Sequence, residues 1–291
     1  MSEKFRILVP LDGSELSERV FAWARLFKSA MPEAELELLR CFEPPASIYL
    51  IPELAVPATA MFSEGDLNTA INEYLKQKAQ ELGVVGTTTS VVVADPSTEI
   101  LRRSEGANLV LMASHGRGGL GRWLMGSVAT KVTRGTTVPV LVISAKCMAG
   151  DPEHPAKIEK IMVAYDGSPA AERAVYRAAS LARGFDATVV LYQGLVHVAM
   201  PNQVVAEANR ADLLRASENL QALAKTLEGV KSQAKVRETS ISTGIVEYAD
   251  EIGADLIVIG SHGKGGLARW MIGSETEHVL HEAHCPVLVT H

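Results

Sequence analysis

The sequence predicts an α/β protein built from two similar domains in tandem, each an open parallel five-stranded sheet with helices on both faces. Three observations lead to this fold class. The chain has 291 residues, which is more than one hydrophobic core usually serves. Its second half repeats segments of the first half in the same order. Within each half, short apolar runs alternate with segments of helical periodicity, as they do when helices connect parallel strands.

The repeat is defined by three pairs of similar segments. ILVPLDGS is repeated as IMVAYDGS, ANLVLMASHG as ADLIVIGSHG, and TTVPVLVIS as AHCPVLVTH. In order along the chain, these pairs occupy residues 7–14 and 161–168, 107–116 and 254–263, and 136–144 and 283–291. Because all three pairs keep their order, we interpret the chain as a duplication of one folding unit.

A short stretch between the repeats predicts the boundary between the two domains. Residues 147–157 contain two prolines, a glycine and charges of both signs, a composition typical of a linker. We therefore predict one domain over residues 1–146 and a second over residues 158–291.

Apolar runs and periodic stripes predict the elements of each domain. A stripe at helical spacing runs from Leu16 to Phe27, and a later stripe ends before Gly83, a residue typical of helix C-termini. The predicted strands, several of which are nearly continuously apolar as in a sheet covered on both faces, are 5–11, 35–42, 88–94, 108–113 and 138–143. The second domain repeats the scheme, with Ser168 as the cap and Pro169 as the first residue of its first helix.

Composition and charge narrow the function classes. Hydrophobic residues make up 47% of the chain and charged residues 21%, which is typical of a globular protein. The net charge of −6 argues against the basic surface that nucleic-acid binding needs, and no apolar stretch approaches the length of a membrane-spanning helix. The start of the sequence does not resemble a secretory signal, and three scattered cysteines give no disulfide framework. We therefore expect a cytoplasmic protein with no nucleic-acid or membrane partner.

Two glycine-containing segments in each half are expected to meet at one crevice. Open parallel sheets bind ligands outside the carboxyl ends of their strands, where the strand order reverses. One segment is the Asp-Gly-Ser turn after strand one, at residues 12–14 and 166–168, and the other is the loop after strand four, at 114–127 and 261–274. Glycine lets backbone N–H groups approach an anion closely, and a helix N-terminus attracts phosphate. The sequence therefore predicts a phosphate-binding crevice in each half.

The glycine-rich loop carries a resemblance to a known family. Residues 260–274 begin with Gly-Ser-His-Gly and, after nine further residues, end with Gly-Ser, which is similar to the G-x2-G-x9-G-[S/T] signature of ATP-binding universal stress proteins. VAYDGS and CPVLVTH stand where that family has its first and last strands. The resemblance covers nearly the entire chain, twice, and implies the strand order 3-2-1-4-5 in each domain. It also implies adenine held near Asp12 and Asp166, with phosphates on the glycine loop and the Gly-Ser pair.

Carried over position by position, the resemblance predicts a ligand-binding set for each domain. In the first domain the set is Asp12, Ala113, His115, Gly116, Arg117, Gly126, Ser127 and Val128. In the second domain it is Asp166, Gly260, His262, Gly263, Lys264, Gly273, Ser274 and Glu275.

Two positions depart from the family pattern. Ala113 replaces the first glycine of the loop in the first domain, where the added methyl group can crowd a ligand. Glu275 follows the Gly-Ser pair of the second domain at the position of Val128, and its carboxylate would compete with phosphate for the positive potential of the helix start. We nevertheless expect the second crevice to be the stronger of the two.

Other interpretations stay open for the side chains of both crevices. Asp12 and Asp166 are also suited to accept hydrogen bonds from the turn that follows them. His115 and His262 can either donate to phosphate or orient the loop, and the basic residue two positions later can approach phosphate or lie in solvent.

The expected function is that of a stress-response sensor or regulator that binds ATP. Mg²⁺ can accompany the nucleotide, with Asp12 and Asp166 as its candidate ligands. The residues show no nucleophile–base pair, so at most slow ATP hydrolysis or autophosphorylation is expected. The alternative is an interaction scaffold of the same fold that binds no nucleotide. The resemblance also implies that segments 138–144 and 285–291 pair within the chain as a pseudo-dimer, and a further homodimer is possible.

Overall fold

The computed structural model describes residues 4–42, 64–114, 125–150, 154–197, 203–263 and 272–291. Within these ranges the chain forms ten strands and nine helices. The first half contains β1 (Arg6–Pro10), α1 (Glu15–Glu18), α2 (Val20–Ala30), β2 (Glu35–Phe42), α3 (Glu64–Leu82), β3 (Thr87–Val93), α4 (Pro96–Ser104), β4 (Leu109–Ala113), α5 (Ser127–Gly135) and β5 (Val140–Ile143). The second half contains β6 (Lys160–Ala164), α6 (Pro169–Phe185), β7 (Thr188–Leu195), α7 (Gln203–Lys225), β8 (Lys231–Glu238), α8 (Ile241–Ile252), β9 (Leu256–Gly260), α9 (Ser274–Glu282) and β10 (Val287–Thr290).

The strands confirm the predicted topology, and the two five-stranded sets join through their last strands. Within each half the strands are parallel, in the order 3-2-1-4-5. The two sets are joined because β5 and β10 pair antiparallel, with Leu141 opposite Leu288. The ten strands therefore form one sheet, in the order β3-β2-β1-β4-β5-β10-β9-β6-β7-β8. The pairing of segments 138–144 and 285–291 within the chain, which the resemblance implied, is present.

Helices cover both faces of this sheet, and a hydrophobic core lies on each side. One core includes side chains from α2, α3, α6 and α7, represented by Phe27, Leu75, Ala178 and Leu220. The opposite core includes side chains from α4, α5, α8 and α9, represented by Ile100, Val132, Ile245 and Val279. Strands β4 and β9 are buried along their whole length because helices lie over both of their faces, which explains their apolar sequences.

Helix ends follow the predicted signals with one difference. Ser168 caps α6, since its hydroxyl accepts a hydrogen bond from the N–H of Ala171 at 3.2 Å, and Pro169 is the first helical residue. Gly83 follows α3 with φ of +66°, a conformation that glycine adopts without strain. The single helix expected from Leu16 to Phe27 forms instead as α1 and α2, separated by Arg19.

The segment after β5 packs against the first half. Cys147 is fully buried, its carbonyl accepts a hydrogen bond from Arg19 at 3.0 Å, and the indole N–H of Trp23 donates to the carbonyl of Ala149 at 3.4 Å. The domain boundaries at residues 146 and 158 stay a prediction. In the part of the chain described here, no helix combines the length and the apolar character that crossing a membrane requires.

Candidate functional site

The turn after the first strand of each half has the same geometry twice. Oδ1 of Asp12 accepts hydrogen bonds from the N–H of Ser14 at 3.0 Å and from its hydroxyl at 2.6 Å. Oδ1 of Asp166 accepts from the N–H of Ser168 at 2.9 Å. The glycine between each aspartate and serine has φ of +77°, which an L-residue with a side chain rarely adopts. Both aspartates therefore hold the turn, and this contact uses one carboxylate oxygen of each.

The loop after the fourth strand is closed at its base in both halves. The N–H of Gly126 donates to the carbonyl of Ser114 at 2.7 Å, and the N–H of Gly273 donates to the carbonyl of Ser261 at 2.8 Å. These bonds bring the end of the loop back to the strand from which it started. His115, Gly116, Arg117 and Lys264 lie outside the residues that the structure describes.

A helix begins directly after each of these glycines. Gly126 is the N-cap of α5 and Gly273 is the N-cap of α9, with φ of −60° and −65°. Ser127 and Ser274 are the first helical residues, and both are exposed. The first N–H groups of a helix have no partner within it, and glycine has no side chain that could accept from them. Each helix start therefore presents backbone donors and the positive end of the helix dipole to an external acceptor.

In the second half, the turn and the loop come together. A Cβ atom placed on Gly263 would lie 2.6 Å from Oδ2 of Asp166, so the carboxylate is directly beside the glycine backbone. Nδ1 of His262 is 2.9 Å from the hydroxyl of Ser261. In this half, therefore, the Asp-Gly-Ser turn and the start of the loop after β9 are neighbours, as expected from the sequence.

Gly260 and Ala113 are both the last residue of their strand, but their surroundings differ. A Cβ atom on Gly260 would lie 2.9 Å from Cβ of Ala170 and 3.1 Å from its carbonyl carbon, at the start of α6. The glycine therefore allows α6 to approach β9 closely. Ala113 is buried as well, in the half where the corresponding helix is divided into α1 and α2. The helix that corresponds to α6 therefore begins differently in the half that has the alanine.

Glu275 makes a contact that the sequence did not indicate. Its Oε2 accepts a hydrogen bond from the N–H of Ser242 at 2.7 Å, in the first turn of α8. The cap residue of α8, Ser240, makes no side-chain cap bond of its own. Val128, at the equivalent position of the first half, is half-buried and packs against the core beneath α4 and α5. The carboxylate of Glu275 is therefore engaged at the start of a neighbouring helix.

Two further residues at the crevices were missed by the sequence reasoning. Arg40, near the end of β2, donates to the carbonyl of Leu11 at 3.0 Å, and its guanidinium lies 3.7 Å from where a Cβ of Gly13 would be. The second half has Gln193 at this position. The one feature of the sequence that could have indicated Arg40 is its basic side chain near the carboxyl end of β2, the strand next to β1.

The second missed residue is His291, which follows β10. Burial lowers the pKa of its imidazole to about 4, and the charges of His262 and Arg173 act in the same direction. The ring is therefore neutral at pH 7. Nε2 of His291 is buried without a hydrogen-bond partner among the described residues. The sequence gives no signal for this residue because its neighbours come from other elements.

Two histidines near the end of the second half, His281 and His284, have separate partners. Nδ1 of His281 accepts from the N–H of Met125 at 3.2 Å, and Nδ1 of His284 is 2.9 Å from Oδ2 of Asp250. Within the described ranges, no group of three or more His, Cys, Asp or Glu side chains is placed to hold a metal ion.

Comparison with known proteins gives the same family for both halves. The family model described as "Universal stress protein family" matches residues 5–144 and again residues 157–291. A universal stress protein of Mycobacterium tuberculosis is 27% identical over 291 residues, which cover 97% of this chain and 96% of that protein. A universal stress protein of Methanocaldococcus jannaschii is 38% identical over 138 residues, which cover 45% of this chain and 81% of that protein.

A solved structure shares the architecture of the whole chain. The crystal structure of a universal stress protein from Archaeoglobus fulgidus has a TM-score of 0.70 and 24% sequence identity, and the match covers 98% of this chain and 97% of that chain. At this level of identity the likeness shows that the fold is shared across both halves.

Proposed function

Since the chain belongs to the universal stress protein family, we propose that its two crevices bind an adenine nucleotide, with ATP as the ligand. The observation that carries the proposal is the glycine-capped start of α5 and α9, each brought back to the end of a central strand by a closed loop. This arrangement puts backbone donors at the carboxyl ends of β4 and β9, where open parallel sheets bind ligands.

The phosphate groups are assigned to the helix starts. Ser127 and Ser274 add a hydroxyl to the N–H groups of the first turn, and the helix dipole favours negative charge at the same place. The engagement of Glu275 with Ser242 supports this assignment, because it gives the carboxylate that could repel phosphate a partner on another helix.

The adenosine part is assigned to the aspartate turns, as the family resemblance implies. Asp166 holds its turn through Oδ1 while Oδ2 lies beside Gly263, so the carboxylate stands between the two segments of the crevice. A carboxylate accepts hydrogen bonds from a ribose hydroxyl or an amino group. In the first half, Arg40 adds a planar cation beside Gly13, a group that can stack on an aromatic base.

Mg²⁺ is proposed to enter only with the nucleotide. Magnesium is usually held by one or two carboxylates together with phosphate oxygens and water. Asp12 and Asp166 can each supply one carboxylate, which fits this mode of binding. When bound, the ion would neutralise part of the charge of the triphosphate.

The proposed role is that of a cytoplasmic sensor or regulator in a stress response. His262 is close to the hydroxyl of its neighbour Ser261, and the carboxylates of Asp166 and Glu275 each accept from a backbone N–H. The two carboxylates thus hold backbone groups in place, which is a structural use of both side chains. There are two alternatives. The protein could be a slow ATPase, or it could be a scaffold that binds no nucleotide.

Replacing Gly273 by aspartate tests the phosphate site. The new carboxylate would accept from the N–H groups of α9 as an N-cap and would repel phosphate, so ATP affinity in the second crevice should fall at least about tenfold. The helix should be slightly more stable, because aspartate is a better cap than glycine. Isothermal titration calorimetry gives the affinity and stoichiometry, and thermal unfolding gives the stability.

Two variants serve as controls for this experiment. Gly273→Ala adds a Cβ whose nearest neighbours are 3.6 Å or more away, an ordinary contact, and should retain ATP binding. Gly126→Asp makes the same change in the first half, so that each single variant should lose one site and the double variant both. If wild-type protein binds no ATP at millimolar concentration and releases no nucleotide when denatured, a scaffold is the better conclusion. Phosphate release over hours would instead identify a slow ATPase.

A further inference from the structure

A cavity of about 220 Å³ lies between the two halves, away from both crevices. Phe5, before β1, and Leu109, at the start of β4, line it, so it is at the opposite ends of these strands from the first crevice. Helices α2 and α6 form its other walls, where the rings of Phe27 and Phe185 pack edge to face with centroids 5.7 Å apart. Leu288 of β10 completes a mainly apolar lining.

The cavity reflects a difference between two equivalent helices. Counted from the Asp-Gly-Ser turn that precedes each helix, Arg177, Ser180 and Gly184 of α6 correspond to Trp23, Leu26 and Ala30 of α2. Trp23 is fully buried, and Leu26 packs against the same core. The three α6 residues line the cavity and replace apolar side chains by a cation, a hydroxyl and a hydrogen atom. A Cβ on Gly184 would have no described heavy atom within 4 Å, so the space beside it is open.

Arg177 gives the cavity its charge. Among the described residues it makes no ion pair or hydrogen bond, and it is exposed although it lines the cavity, which places it at the open side. Ser180, which is also exposed, lines the same space. The other polar group, Asn108, already accepts from the N–H of Arg6 at 2.8 Å. The cavity thus combines an apolar interior with one guanidinium that has no partner within the described ranges of the chain.

We propose that this cavity binds a small carboxylate with an apolar body, such as an aryl or short acyl acid. The apolar part lies among Phe27, Phe185 and Leu288, and the carboxylate pairs with Arg177, whose planar fork matches a carboxylate in two parallel hydrogen bonds. The size agrees, since an apolar cavity of about 150 Å³ is known to hold benzene. The remaining volume accommodates a substituent that reaches the guanidinium.

Phenylacetate is the probe for this site, and phenylacetamide is its uncharged counterpart. Wild-type protein should bind phenylacetate saturably in a ligand-observed NMR titration, and phenylacetamide at least about tenfold more weakly. Arg177→Gln should remove this preference. Arg183→Gln, a matched change on the same helix at an exposed residue outside the cavity, should preserve it.

A second kind of variant tests the cavity by its volume and not by its charge. Gly184→Leu adds a large side chain at an exposed residue that lines the cavity and replaces glycine within a helix, so the fold should be retained while both probes bind more weakly. If this variant does not fold, Ser180→Leu, which introduces the residue of the first half, takes its place. The proposal is overturned if wild-type protein shows no saturable phenylacetate binding, if Arg177→Gln keeps the preference for the charged probe, or if the filled variants bind as wild type does.

Discussion

At the scale of single residues, the two halves cap an equivalent helix in different ways. Asp95 caps α4 and accepts from the N–H and hydroxyl of Thr98 and from the hydroxyl of Ser97. These hydrogen bonds lower the pKa of Asp95 to about 2, so this cap is lost only as the pH falls from about 4 towards 2. In α8 the cap residue is Ser240, and Glu275 supplies the carboxylate from α9 instead. The unusual glutamate of the second loop is therefore explained by helix capping.

Removing this carboxylate should destabilise the second half. We expect Glu275→Ala to lower the free energy of unfolding by about 1 kcal/mol, the usual contribution of a helix cap. Ser240→Asp copies Asp95 at a residue with similar backbone angles, φ −55° against −54°, and should restore most of the loss in the double variant. Urea unfolding of wild type, the two single variants and the double variant measures the coupling energy between residues 240 and 275. Strictly additive changes in the free energy of unfolding would contradict a shared capping role.

At the scale of elements, the distance between a strand and the helix that packs over its end decides which residue ends the strand. Gly260 lets the start of α6 lie against β9, with Ala170 in the position that a Cβ would need. In the first half, the strand ends in Ala113 and the corresponding helix is divided at Arg19. The glycine at the start of the family motif therefore has a packing role in this chain, in addition to any contact with a ligand.

Placing alanine at residue 260 should destabilise the protein more than placing glycine at residue 113. Gly260→Ala forces Ala170 or the strand to move and should reduce the free energy of unfolding by about 1–3 kcal/mol, as overpacked cores do. Ala113→Gly removes one buried methyl group and should cost about 1 kcal/mol or less. Chemical denaturation of both variants measures the two losses of unfolding free energy. A Gly260→Ala protein as stable as wild type would show that α6 can shift freely.

At the scale of the whole molecule, α9 and β10 attach the second half to the first. The hydroxyl of Ser144 donates to the carbonyl of Ala283 at 3.0 Å, and Lys146 pairs with Glu282 at 2.7 Å. Helix α9 starts at the second crevice, and its His281 accepts from Met125, next to the cap of α5 at the first crevice. The two crevices are therefore linked through one helix and one continuous sheet.

We expect the two halves to unfold in a single calorimetric transition because they share a sheet and a core. Leu141→Ala, at a fully buried residue opposite Leu288, should lower the free energy of unfolding by about 2–5 kcal/mol and shift the transition as a whole. Lys146→Gln, which removes a partly exposed ion pair, should change it by about 1 kcal/mol at most. Two separate transitions, of which Leu141→Ala moves only one, would contradict this joint core.

The sequence predicted what depends on local pattern. The strand expected over residues 35–42 matches β2, and the Ser168 cap is present, because apolar runs and capping residues act over a few positions. The contacts that it did not predict join distant parts of the chain. Ser242 and Glu275, or Gly260 and Ala170, meet only after the helices have packed. For the same reason the sequence placed Asp12 and Asp166 at the crevices but gave no reason to include Arg40 or His291.

The antiparallel contact between β5 and β10 has a consequence for how the protein responds to dilution. Two separate subunits joined in this way would come apart at low abundance, by mass action. Here both strands belong to one polypeptide, so the second half is always present at a high effective concentration near the first. Each chain therefore carries both halves in a one-to-one ratio, and the two halves stay paired even when a cell contains few copies of the protein.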